Sequence, residues 1–143
     1  MRIGTTLVEM AVALLLLGVL TGILSPTISG FQDRAAVFLA REQLVALVVE
    51  VRRVAIERGG AELVVRAEPS EVLLVAGRDT LRTVRWPASL GAPRLVIGGT
   101  RSTLELAFDR AGLGRFANAT LEFRRGREAS ELVLSSYGRV RRR

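Results

Sequence analysis

Residues 4–24 of the chain read GTTLVEMAVALLLLGVLTGIL, and this stretch decides the fold. No charged residue occurs between positions 10 and 32. A helix needs about 20 apolar residues to cross the core of a bilayer, so this run predicts a membrane-spanning helix. Glu9 lies just inside the run, where an ionised carboxylate is costly unless it finds a partner. A buried core helix is the alternative, although a domain this small rarely encloses one.

The small residue of a cleavage site lies before the apolar run instead of after it. A secretory signal has a basic start, an uncharged apolar stretch and then a small-residue site. Cleavage after Gly4 would leave the apolar segment on the mature protein, which would then begin at Thr5. A plain single-pass anchor in which Glu9 is incidental is the alternative.

The first nine residues resemble the leader of type IV prepilins and type II secretion pseudopilins. That leader is short and basic, ends in Gly, and continues with Phe or Met and then Thr-Leu-x-Glu; here Gly4, Thr6, Leu7 and Glu9 match, and Thr5 departs from it. The resemblance implies cleavage between Gly4 and Thr5 by prepilin peptidase, followed by N-terminal methylation. It also implies a single-pass protein of the inner membrane with a periplasmic C-terminal domain.

Three residues of the apolar run are expected to loosen its helix. Gly18 and Pro26 fall where pilin helices commonly carry a Gly and a Pro, so their role follows from the resemblance. Pro26 cannot donate to the helix ladder and disfavours helix just before it. We therefore expect a kink or local melting between Gly22 and Pro26.

Two partners for Glu9 are open. The resemblance implies that its carboxylate pairs with the α-amine of Thr5 on a neighbouring subunit, which would set the register of filament assembly. Residues four apart share one face of a helix, so Glu9 and the amine of Thr5 could instead pair within one chain. Either pairing would offset the cost of a carboxylate deprived of water.

Residues 33–58 predict a second helical stretch with one apolar face, because apolar residues recur at spacings of three and four. Gly59 and Gly60 are expected to end it. The apolar face consists of Val37, Ala40, Leu44, Leu47, Val48, Val51, Val54 and Ala55.

From residue 61 onward, short β-rich runs alternate with turn signals, which predicts six to eight antiparallel strands that cover the apolar face of the helix. The expected fold is α+β and pilin-like, with a long N-terminal helix packed on an antiparallel sheet or small β-sandwich. The expected segments are a leader (1–4), a transmembrane and assembly helix (5–26), an amphipathic helix joined to the head (27–60), a periplasmic β-rich domain (61–136) and an Arg-rich tail (137–143).

Later motifs narrow the resemblance to the GspH/FimT group. They are the amphipathic helix that ends near Ile56, the turn that begins at Phe108 and Asp109, and the Gly-Arg-Val-Arg ending that begins at Gly138. The resemblance implies a minor pseudopilin, a structural subunit of the type II secretion pseudopilus that serves protein export across the outer membrane. The alternatives are a minor pilin of type IV pili and an anchored periplasmic domain that never assembles. Other pilins or pseudopilins would be its partners through the N-terminal helix.

All 21 basic residues are arginine, and residues 124–143 hold seven of them with only two acids. A flexible basic tail suits salt-sensitive, sequence-independent DNA binding. The ending also resembles the Gly-Arg-x-Arg tail with which FimT-like minor pilins hold DNA in natural transformation. Three other interpretations are open: the ending completes a strand, frays into solvent, or contacts acidic neighbours or lipid headgroups. The candidate DNA-binding residues are Arg139, Arg141, Arg142 and Arg143.

An enzyme is the least favoured class. The chain has no His and no Cys, which removes the commonest general base, thiol nucleophile and thiolate ligand. Glu105, Asp109 and Glu122 occur in strand and turn contexts without the spacing of metal ligands. We therefore expect no catalytic site, no metal, no cofactor and no small-molecule substrate.

Overall fold

The structure is a computed structural model that describes residues 6–99 and 101–142, with the backbone alone for residues 21–28 and 88. The chain divides into two compact units, residues 1–32 and 33–143. The fold is α+β: a long helix is followed by antiparallel strands. The elements are α1 (Leu7–Arg58), β1 (Gly60–Arg66), β2 (Glu71–Ala76), β3 (Asp79–Arg85), a short 3-10 helix (Ala88–Leu90), β4 (Arg94–Ile97), β5 (Thr103–Asp109), β6 (Ala119–Arg125), β7 (Glu128–Leu134) and β8 (Val140–Arg142).

The predicted stop of the helix is confirmed. Helix α1 ends at Arg58, and Gly59 follows with a φ of 84°, in the left-handed region that glycine adopts at low cost. Gly60 then opens β1. Within the described part of the chain, no helix combines the length and the apolarity that a membrane span requires.

The strands form two four-stranded antiparallel sheets. The first sheet has the order β3-β2-β1-β5 and the second has the order β4-β6-β7-β8. In the first sheet, β1 pairs with β5 from Gly60 opposite Asp109 to Arg66 opposite Thr103. In the second, β6 and β7 form a hairpin from Ala119 opposite Leu134 to Arg125 opposite Glu128.

The unit of residues 33–143 is called the head below. The apolar face of α1 lies in the core of the head, as its periodicity predicts. All eight predicted residues are buried, with exposed fractions of 0–6%, and they join buried residues of both sheets in a single cluster. Trp86 links the layers, because its ring meets Phe123 of β6 edge to face at 5.0 Å and its indole N–H donates to Gln43 of α1 at 3.0 Å. Helix and sheets therefore bury one another's apolar surfaces.

Charged residues also join the helix to the second sheet. Asp33 accepts from Arg125 at 2.8 Å, and Arg34 donates to Glu128 at 3.0 Å. A β-bulge and an edge position distinguish β3, whose residues are exposed except for half-buried Val84. This strand was not predicted, because a strand exposed on both faces shows no alternation of apolar and polar residues.

Candidate functional site

The start of helix α1 is a reciprocal cap. The backbone N–H of Thr6 donates to Oε2 of Glu9 at 2.8 Å, and the backbone N–H of Glu9 donates to Oγ1 of Thr6 at 3.3 Å. This is the capping box, in which a Thr and a Glu three residues apart satisfy two of the orphan N–H groups of a helix end. The Thr-x-x-Glu spacing alone predicts such a capping box. The sequence-based hypotheses instead concerned the charge of Glu9 in its apolar surroundings.

The cap gives Glu9 a local partner that neither sequence-based alternative included. Glu9 is exposed, and its carboxylate makes no ion pair within residues 6–99 and 101–142. Gly4 and Thr5, the predicted cleavage pair, lie outside the described residues, as does the predicted leader 1–4. Pairing of Glu9 with the α-amine of Thr5, within or between chains, therefore stays a prediction.

The backbone of α1 is helical through all three residues that were expected to loosen it. Gly18, Gly22 and Pro26 lie within the span Leu7–Arg58, which shows no local melting, and the expected kink stays a prediction. Proline removes a single N–H from the ladder, and the hydrogen bonds on either side maintain the helix. A side chain at Gly18 would meet nothing within 4 Å, whereas the side chains of residues 21–28 lie outside the description.

The first part of α1 carries a broad apolar surface. Ten large apolar side chains between positions 7 and 20 are 52–86% exposed, and they lie on every side of the helix. Single exposed apolar residues are ordinary, but a contiguous surface of this kind marks an interaction site with protein or lipid. Glu9 is the one charged residue in it.

The Arg-rich ending is a strand, so the interpretation of a frayed terminus is wrong for residues 140–142. Strand β8 pairs with β7, with Val140 opposite Leu134 and Arg142 opposite Leu132. The interpretation that the ending completes a strand is the one that the structure bears out. Arg143 lies outside the described residues.

The arginines of this strand do not converge. Arg142 donates from two nitrogens to Glu42 of α1, each at 3.1 Å, and its hydrogen bond holds the pKa of that carboxyl below its usual range. Successive side chains of a strand point to opposite faces, so Arg141 lies on the face away from Arg142. Arg139 precedes the strand and is exposed. The three described arginines therefore form no common patch.

Arg139 lies instead on a cleft of about 670 Å³ at the C-terminal part of α1, which we call the Arg52 cleft. Arg52 is half-buried; its guanidinium lies 5.7 Å from the ring centre of Phe108 and donates to the backbone oxygen of Gly138. No sequence pattern indicated this role of Arg52, which falls beside the apolar stripe. The cleft is lined by Arg52, Gly112, Leu113, Ser135, Tyr137 and Arg139.

Two of the three acids singled out in the sequence, Asp109 and Glu122, form contacts within the fold. Asp109 accepts from the backbone N–H groups of Leu113 and Ala111 and from Arg115, and these bonds, the first above all, keep the pKa of its carboxyl low. Glu122 pairs with Arg124 at 2.7 Å. Among the described residues, no group of three or more acidic side chains is placed to hold a metal ion.

Comparison with known proteins leaves the functional argument to the residues themselves. No protein-family model, no curated protein and no solved structure matches the chain. Two features of the described residues bear on function: the capped apolar start of α1 and the arginine-lined cleft.

Proposed function

We propose that this chain is a minor pseudopilin of the GspH/FimT type, a non-enzymatic structural subunit of a type II secretion pseudopilus. Residues 5–26 would span the inner membrane and assemble with the helices of other pseudopilins. The head would lie in the periplasm. The role of the subunit would be to complete a short filament that drives protein export across the outer membrane.

The observation that carries this proposal is the exposed apolar surface of residues 7–20. A helix that is apolar all round needs to be buried in protein or lipid. The head has its own closed core, formed by the stripe of residues 37–55 and both sheets. The first part of α1 is thus available to lipid and to sister helices, which is how a filament core of packed helices would use it.

Glu9 would specify register within that apolar surface. A carboxylate in an apolar surrounding attracts an amine strongly, and its energetic cost is large when it is left unpaired. Cleavage after Gly4 would create such an amine at Thr5. The capping bonds use Oε2 of Glu9, so the other carboxylate oxygen could accept from the amine of a neighbouring chain.

Prepilin peptidase would cleave after Gly4. A side chain at this position would crowd the close approach of the enzyme to the peptide backbone. We expect Gly4→Leu to leave the leader attached. Mass spectrometry of the purified protein should show a mature chain that begins at Thr5 for the wild type and an uncut chain for the variant. A wild-type chain that retains Met1 would contradict the proposal.

The assembly experiment separates the charge of Glu9 from its capping role. The chain has no cysteine, so a single Leu16→Cys in the exposed apolar surface provides one defined crosslinking site. Glu9→Gln keeps a capping side chain but removes the charge, whereas Thr6→Ala keeps the charge and removes half of the cap. Incorporation into filaments with partner pilins is measured by crosslinking in cells that carry the secretion system.

We expect Glu9→Gln and Glu9→Ala to abolish crosslinking to partner helices while membrane insertion is unchanged. Thr6→Ala should crosslink nearly as the wild type does. Normal incorporation of Glu9→Gln together with loss in Thr6→Ala would assign Glu9 to the helix cap alone. Absence of any crosslink in the wild type would overturn the assembly role.

A second candidate function is DNA binding by a type IV minor pilin. It is favoured by Arg139 and Arg141, which are exposed and form no ion pair within the described residues. Phosphate contacts by such residues predict salt-sensitive binding without sequence preference. A gel-shift titration tests it with the wild type and with alanine at Arg139, Arg141, Arg142 and Arg143. A shift that ignores salt or these substitutions excludes it.

A further inference from the structure

Arg52 is a half-buried cation without a countercharge. Within the described residues it forms no ion pair, and its Nε is enclosed without a hydrogen-bond acceptor. A cation taken partly out of water without an opposite charge is unfavourable. By contrast Arg41, whose side chain is 14% exposed, pairs with Glu42 at 2.9 Å. An added anion at Arg52 would therefore relieve a cost that no described residue compensates.

The guanidinium of Arg52 is held in place before any ligand arrives. It lies over the ring of Phe108 and donates to the backbone oxygen of Gly138. Gly138 has a φ of 76°, and a Cβ at this position would lie 2.5 Å from Nη2 of Arg52 and 2.9 Å from the Phe108 ring. Only glycine permits this close approach, so the turn and the arginine form one preorganised unit.

The wall that carries Arg139 is equally fixed. The N–H of Gly138 donates to the backbone oxygen of Ser135 at 2.7 Å, and the N–H of Arg139 donates to Oγ of Ser135 at 3.1 Å. The N–H of Ser136 donates to Asn118 at 2.8 Å. These bonds hold the backbone of the segment from which Arg139 and the hydroxyl of Ser135 line the same cleft as Arg52.

From this arrangement we infer that the Arg52 cleft binds a carboxylate of an acidic peptide segment from a partner protein. Two guanidinium groups on one cleft match a carboxylate, with which arginine forms paired, charge-assisted hydrogen bonds. Leu113 and Tyr137, 49% and 72% exposed, flank the cleft and offer apolar contact to the neighbouring residues of a peptide. The nearby acid Asp109 does not fill the site, because it is bonded to Arg115 and to two backbone N–H groups.

A nucleic acid fits the same geometry less well. A phosphate backbone is followed by several cations along one face. Here Arg141 and Arg142 lie on opposite faces of β8, and Arg142 shares the carboxylate of Glu42 with Arg41. The cleft therefore suits a single anionic group on an otherwise uncharged segment. The inference does not rest on filament assembly, since the cleft is formed wholly by the head.

The test uses full-length protein in non-ionic detergent and the pentapeptide acetyl-Gly-Leu-Glu-Leu-Gly-amide, with the Gln peptide as its uncharged match. The Nε–Hε resonances of the arginines are followed by NMR during the titration. We expect saturable shifts at Arg52 and Arg139 with the Glu peptide and none with the Gln peptide. Arg139→Gln should weaken binding about tenfold, the effect of losing one charge-assisted hydrogen bond.

Arg141→Gln is the matched control, because it removes the same charge from an exposed arginine two residues away that does not line the cleft. It should change the dissociation constant less than about twofold, as expected of a screened surface charge. Equal weakening by both variants would show diffuse attraction to a basic protein and overturn the site. Equal shifts with the Gln peptide, absence of any shift, or shifts at Arg52 with a dodecathymidylate but not with the Glu peptide would overturn it as well.

Discussion

Two stretches of one helix are both rich in apolar residues, but these residues have opposite exposure. Residues 7–20 present ten large apolar side chains that are at least half exposed, whereas eight apolar residues between positions 37 and 55 are at most 6% exposed. The difference lies in where charges interrupt the pattern. Residues 10–32 have none, whereas Arg41, Glu42 and Arg53 set a polar face in the second stretch. A helix with a polar face packs its single apolar face against a core. A helix that is apolar on all sides can contact protein or lipid all round.

The largest contrast should come from one leucine in each stretch. Leu44 is fully buried and Leu15 is 66% exposed. We expect Leu44→Ala to lower the free energy of unfolding of the head by about 2–5 kcal/mol, because it leaves a cavity in the core. Leu15→Ala should change it by less than about 0.5 kcal/mol. Urea unfolding in detergent, followed by the fluorescence of Trp86, the single tryptophan, reports on the head alone. Similar losses in both variants would break the comparison.

A second contrast concerns acids, which the head buries and the first stretch does not. Glu71 is 3% exposed and pairs with Arg66 and Arg85, each at 2.9 Å. The hydrogen bond from Arg85, and then that from Arg66, lower the pKa of this carboxyl from its ordinary 4.5. A lowered pKa means stability that is fully present above pH 4.5 and is lost as the pH falls through the folded value.

We therefore expect Glu71→Gln to lower the free energy of unfolding at pH 7 by about 1–3 kcal/mol, because two ion pairs with arginine become hydrogen bonds to an uncharged amide. The difference in the free energy of unfolding between this variant and the wild type should shrink as the pH falls below the ordinary carboxyl pKa of 4.5. Exposed Glu105, which has no ion pair within the described residues, supplies the control Glu105→Gln, with little change at any pH. A difference for Glu71→Gln that stays constant down to pH 3 would contradict the linkage.

Glycines should sharpen the comparison at a smaller scale. Gly59 ends the helix at a φ of 84°, where Gly59→Ala should cost the head about 1 kcal/mol, since a side chain is strained there. Gly18 lies inside the helix with open space around its Cα, so Gly18→Ala should leave the unfolding of the head unchanged. The midpoints of urea unfolding, compared between variants with equal m-values, measure both effects. A loss with Gly18→Ala would show that the first stretch contributes to the stability of the head.

The smallest expected effect belongs to the ion pair of Arg142 and Glu42. Its side chains are 53% and 32% exposed, so Arg142→Gln should cost less than about 1 kcal/mol. The pKa of Glu42 should move up toward its ordinary value, because the hydrogen bond from Arg142 is its main cause. Carboxyl NMR titration measures this shift, with Arg141→Gln as the control. An unchanged pKa in Arg142→Gln would place β8 differently on the helix.

Periodicity predicted the parts of the fold in which one face is buried. Sequence patterns predicted the apolar stripe from Val37 to Ala55 and the alternation in β5 and β6. In each of these elements, buried residues recur at the period of the helix or strand. Strand β3 was missed because it buries almost nothing. Strand β8 was one of several open interpretations of the ending, and the sequence could not choose it because the contacts of Val140 with the core and of Arg142 with the helix are distant along the chain.

The candidate sites were less predictable, because they depend on what distant segments bring together. The Thr6–Glu9 cap is local and could have been predicted from spacing alone. The Arg52 cleft joins a helix residue to a turn about 86 positions later, and no local pattern carries such a contact. The opposite placement of Arg141 and Arg142 follows only once β8 is known to be a strand.

Strand β3 illustrates how a segment can be ordered without being buried. It is held by its ladder to β2, by Arg85 on Glu71 and by Arg82 on Glu50 at 2.6 Å, while most of its surface faces solvent. Opening it would expose little apolar area, so it is the part of the first sheet that needs the least free energy to detach. Its backbone amides should exchange with deuterium well before those of β1. A partner that adds a strand at this edge of the sheet would have to pair with β3 or displace it.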